Sequence, residues 1–70
     1  MNRVLIFDTT HHAMWAEEIA RATGAAAEVI PAPEGSEAKC GLALEVLPES
    51  FEELTAALQR EGVPFRLLQQ

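Results

Sequence analysis

Two glycines, Gly24 and Gly62, each close a run of helical periodicity, and a short apolar stretch follows each of them. A glycine placed there is a helix stop, because it readily takes the left-handed conformation that a C-terminal cap needs. In the first run, residues 11–23, the side chains of Ala13, Ala16, Ile19, Ala20 and Thr23 share one side at 100° per residue. Glu17, Glu18 and Arg21 share the other. Thr9 or Thr10 can cap this helix. The second run is "PESFEELTAALQREG", in which Phe51, Leu54, Ala57 and Leu58 form the apolar stripe. Ser50 and Glu53 there have capping-box spacing.

Extended segments surround both helices. "RVLIFD", residues 3–8, is apolar from Val4 to Phe7, as expected of a central strand covered on both faces. "AAEVI", residues 26–30, is a weaker strand. "PAPEGSEAK", residues 31–39, is a loop by its Pro, Gly and Ser content. "CGLALEV" resumes a strand with Leu42, Leu44 and Val46 on one face. "VPFRLL" is the last strand, with Val63, Phe65 and Leu67 inward. Pro64 suits an edge, since it has no N–H for a central ladder.

The order β-α-β-β-α-β predicts an α+β, ferredoxin-like fold over a single domain, residues 1–70. Its antiparallel sheet runs 4-1-3-2, with both helices on one face. If Leu5 and Phe7 face the helices, Val4, Ile6, Ala43 and Leu68 line an open face, which is a candidate surface for a homodimer or a partner. Such oligomerisation suits a chain of 70 residues, whose core alone supplies little stability.

Charge excludes several functions. Eleven acidic residues stand against five basic ones, giving a net charge of −6. Without a basic stripe, neither nucleic acid nor an anionic membrane is an expected partner. The opening apolar run is too short for a signal peptide, and nothing approaches the ~20 apolar residues of a membrane span. One cysteine makes no internal disulfide, so the expected setting is the cytoplasm.

That cysteine, Cys40, is the principal chemical candidate. In the expected topology the end of the first strand lies beside the start of the third. Cys40 then sits near Thr9, Thr10, His11, His12 and the first helix's N-terminus. A helix N-terminus favours anions, and nearby cations such as Lys39 also favour a thiolate. Gly41 lets another group approach the sulfur closely. The plainer alternative stays open: a free cysteine often packs as a small hydrophobe, and the alternation puts Cys40 on the Leu42 face. His12 falls toward the buried side of the helix, where imidazole can orient the thiol or act as a base. His11 points more outward, as an ordinary first-turn residue. A metal centre is not expected, because adjacent histidines on a helix diverge and no Cys-x-x-Cys pair exists. No cofactor motif, P-loop or Ser-His-Asp arrangement appears, so enzyme chemistry is not expected either.

"TTHHAMWAEE", residues 9–18, with "CGLAL", residues 40–44, resembles the selenium/sulfur carrier protein-like family. The likeness runs over nearly the whole chain in the order and spacing of these segments. It implies that Cys40 accepts a persulfide or a selenium adduct and passes it on. It implies a donor protein, such as a cysteine desulfurase, and an acceptor protein. Thr9, Thr10, His11, Lys39 and Gly41 would then flank the bound chalcogen, with His12 beside the accepting thiol. Family members commonly carry small hydroxylated residues just before the cysteine; here Ala38 and Lys39 stand there. The alternative from a different class is a non-catalytic dimeric binding or regulatory module in which Cys40 is structural.

Overall fold

The structure, a computed structural model, describes residues 1–68. The expected domain of residues 1–70 ends in Gln69 and Gln70, which lie outside the described residues. The elements are β1 (Arg3–Ile6), α1 (Thr10–Thr23), β2 (Ala27–Pro31), β3 (Leu42–Val46), α2 (Pro48–Glu61) and β4 (Arg66–Leu67). They form an α+β structure with one four-stranded sheet in the order β2-β3-β1-β4. From the other edge this is the expected 4-1-3-2. β1 pairs antiparallel with both β3 and β4, and β2 pairs antiparallel with β3. No helix among the described residues is long and apolar enough to cross a membrane.

The sheet centre is set by β1 against β3, where Leu5 faces Leu44. Leu5, Phe7, Leu44 and Val46 join Ala13, Ala16, Ala20, Leu54 and Leu58 in one buried cluster, so both helices cover the same face. Full burial of a Leu or Phe side chain is worth roughly 1.5–3 kcal/mol, and Leu5, Phe7, Leu44, Leu54 and Leu58 are at most 1% exposed. The buried residues of α1 are all alanines, which lets its backbone lie close to the sheet. Ile19 packs at the margin, while Thr23 is exposed and its hydroxyl donates to the Ala20 carbonyl at 3.2 Å.

Both glycine stops are found. Gly24 (φ 74°) and Gly62 (φ 83°) are left-handed. Each begins a paired cap: Ala25 N–H donates to Ala20 O and Val63 N–H to Leu58 O, both at 2.9 Å. The second cap explains why β4 is shorter than residues 63–68. The Val63 N–H is held by α2, and Pro64 has none, so the ladder begins only at Arg66. β4 is an edge strand, as the proline required.

Three expectations need correction. Ser50 does not cap α2: Leu47 is the cap residue, Pro48 opens the helix, and Ser50 lies buried in its first turn. Its Oγ instead accepts the Ala26 N–H at 2.8 Å, tying α2 to the start of β2. β3 begins at Leu42, so Cys40 and Gly41 precede the strand rather than open it. The far face of the sheet is not open at its centre. Ile6 is 1% exposed and Ala43 0%, and Gly35, Ser36 and Glu37 lie beside Ile6, Arg66, Leu67 and Leu68. The loop after β2 folds back over that face.

The geometry at Ser50 predicts that Ser50→Ala destabilises by about 1 kcal/mol, the net worth of its hydrogen bond to the half-buried Ala26 N–H. Glu53→Ala, on the exposed face, should change stability by less than about 0.5 kcal/mol. Urea unfolding of the two variants checks both values.

Candidate functional site

The site is built where β1 ends, α1 starts and the loop after β2 returns. Thr9 is extended (φ −135°, ψ 151°) and its Oγ1 accepts the His12 N–H at 3.0 Å. This side-chain cap removes one of the unpaired donors every helix start carries. The cap places His11 and His12 side by side in the first turn, with ring centroids 5.8 Å apart. His11 is exposed and lies 6.1 Å from the Trp15 ring. His12 is half-buried, on the inner side as expected. Its Nδ1 is a buried side-chain atom without a hydrogen-bond partner among the described residues. A stranded polar atom of this kind is uncommon and costs free energy until something satisfies it.

The loop is drawn to the same corner by register. Ile6, the last residue of β1, pairs with both Ala43 and Arg66. Arg66 reaches from there to the Glu37 carbonyl, with Nη2 donating at 3.3 Å, and to the Asp8 carboxylate at 3.7 Å. The loop and the turn between β1 and α1 are therefore adjacent. Cys40 stands at the end of this loop, two residues before β3.

Cys40 is 8% exposed and belongs to the core cluster that includes Phe7 and Ala13. Its sulfur lies 3.1 Å from the Leu42 carbonyl oxygen, to which the thiol donates. Among the described residues no hydrogen bond joins the sulfur to His12. Lys39 is exposed on one side of Cys40. On the other, a Cβ added to Gly41 would meet no atom within 4 Å apart from its chain neighbours Cys40 and Leu42, and Gly41 is not in the left-handed region. Neither backbone geometry nor crowding demands a glycine there. Thr9 and Thr10 are both exposed at the helix start. Among the described residues no group of three or more His, Cys, Asp or Glu is placed to hold a metal ion.

Sequence reasoning did not find Arg66 or Glu37. Arg66 meets the loop across 29 positions of the chain, a separation visible only once the strands are paired. Glu37 has φ 59°, and nothing in its residue type marks that conformation.

Two outcomes follow from this geometry. Thr9→Ala should cost about 1 kcal/mol of stability through loss of the cap. Gly41→Ala should leave stability unchanged or raise it by up to about 1 kcal/mol, because the site accepts a methyl group and the unfolded chain loses freedom. Thermal unfolding measures both.

No curated protein and no solved structure matches the chain. A family model does match, over residues 2–68. That span holds the capped start of α1, the loop and Cys40 together, and the chain belongs to the family described as "Putative Se/S carrier protein-like".

Proposed function

We propose that this chain is a carrier of sulfur or selenium that holds the chalcogen on Cys40. The observation that supports the reading is that the family match over residues 2–68 includes the sole thiol, Cys40, at the end of the loop before β3 and next to Gly41. The chemistry is a displacement at sulfur. The Cys40 thiolate attacks the terminal sulfur of a donor persulfide, the new S–S bond forms, and the donor's thiolate leaves. Cys40 then bears a persulfide. No net oxidation occurs, because the sulfane sulfur moves without changing its state. An acceptor nucleophile repeats the step and releases the Cys40 thiolate. Selenium follows the same course, with a terminal selenium in place of the sulfur.

Each neighbour has a role in this scheme. The helix N-terminus and Lys39 favour negative charge on the chalcogen. His12 offers its unpartnered Nδ1 as a hydrogen-bonding group for the adduct. Thr9 and Thr10 hold the helix start, His11 borders it, and Gly41 leaves room for a partner's sulfur. The protein acts as a carrier rather than as an enzyme, loaded by a donor such as a cysteine desulfurase and unloaded by an acceptor protein. The cytoplasm, where free thiols stay reduced, is the matching setting. The ferredoxin-like arrangement supplies a rigid base for the loop.

A second reading has its own support. The 8% exposure of Cys40 and its bond to Leu42 suit a packed residue in a dimeric binding module. One experiment separates the two. The protein is incubated with a cysteine desulfurase and cysteine, and its intact mass is read before and after dithiothreitol. The carrier reading expects a reducible gain of sulfur in the native chain and none in Cys40→Ser, with the circular dichroism of the variant unchanged. A native chain that gains nothing, or a variant that still gains sulfur, overturns it in favour of the binding module.

A further inference from the structure

The β2–β3 ladder ends with Pro31 opposite Leu42, followed by one further bond from Ala32 N–H to Gly41 O at 2.9 Å. Residues 33–40 form an excursion beyond that bond, and Cys40 is its last residue. Two hydrogen bonds are internal to it: Ser36 N–H to Pro33 O at 3.2 Å, and Ala38 N–H to Ser36 Oγ at 3.3 Å. Among the described residues, one hydrogen bond ties the excursion to a distant part of the chain: the 3.3 Å contact of Arg66 with the Glu37 carbonyl. The carbonyl it grips belongs to Glu37, at φ 59°. A non-glycine residue occupies that region at a cost, so opening would relieve it. The remaining holds are the bond from the Cys40 thiol to the Leu42 carbonyl at 3.1 Å and burial, with Ser36 and Cys40 each 8% exposed and the loop lying over Ile6.

We infer that Arg66 is a positioning residue for Cys40. Its latch on Glu37 holds the 33–40 loop closed with the thiol packed inward, and the sulfur reaches a reagent or partner when this loop releases. The sheet and helices stay folded while it does so. Local opening of this kind is expected of an irregular segment, outside the sheet and helices, that a single distant hydrogen bond tethers. Asp8, 3.7 Å from the same guanidinium, steers Arg66 toward the loop, and both side chains are about half exposed (51% and 55%). The inference does not need the carrier reading, since it concerns access to the sulfur and not what the sulfur bears.

The test is the rate of Cys40 alkylation by iodoacetamide over a urea series below the unfolding transition. In the native chain, labelling should be slower than in the unfolded chain, and it should rise with urea far less steeply than global unfolding does. Arg66→Ala should label roughly fivefold faster at zero urea, the worth of about one net hydrogen bond, with its melting temperature nearly unchanged. Arg60→Ala, in the last turn of α2, should label at the native rate. Equal rates in Arg66→Ala and the native chain would overturn the latch, as would equal acceleration by Arg60→Ala. A native urea slope matching global unfolding would also overturn it, and that measurement decides the matter even if Arg66→Ala folds poorly.

Discussion

The antiparallel pairing of β1 with β3 governs everything else in this molecule. Leu5 against Leu44 fixes the register, and a slip of one residue would turn the inward side chains of the slipped strand away from the helices. With the register fixed, β1 must end where β3 begins. The capped start of α1 and the returning loop then share one corner. Strand pairing thus brings the loop that ends in Cys40 and the turn before α1 to one corner, joined through Arg66.

The same packing creates a tension at Cys40. The corner offers what a reactive thiol requires, namely a helix N-terminus, a lysine on one side and free space on the other. Yet the sulfur is tucked against the core and donates to a neighbouring carbonyl. Under the proposed carrier role, a thiol that meets a donor and an acceptor benefits from protection between encounters, because exposed reactive sulfur is open to oxidation. An irregular segment held by few contacts reconciles burial at rest with access on demand. That places the adaptable part of the site in the loop and the fixed part in the sheet and α1.

Much of the fold was legible in the residues. Gly24 and Gly62 marked both helix ends because their left-handed caps have few substitutes. Pro64 marked the edge strand because it lacks a donor. A threonine cap was readable before the amphipathic run, at Thr9 or Thr10, and the structure selects Thr9. What escaped depended on contacts far apart in the chain. Ser50 and Glu53 had the right spacing for a capping box, but Pro48 opens the helix two residues earlier and a backbone donor 24 positions away claims the hydroxyl. The open face was inferred from alternation, which cannot show that the loop folds back over Ile6 and Ala43. Cys40, His12 and Thr9 stand out as candidates by residue type alone. Arg66 and Glu37 do not, because their contact depends on strand pairing across 29 positions.

The central claim is that Cys40 bears a chalcogen in the working protein. The most direct measurement is the mass of the Cys40-containing peptide from protein purified from its native cells without reductant. The account predicts that a fraction of this peptide carries one added sulfur or selenium atom, removable by dithiothreitol and absent from every other peptide. A Cys40 found only as the unmodified thiol, in cells whose desulfurase is active, would contradict it.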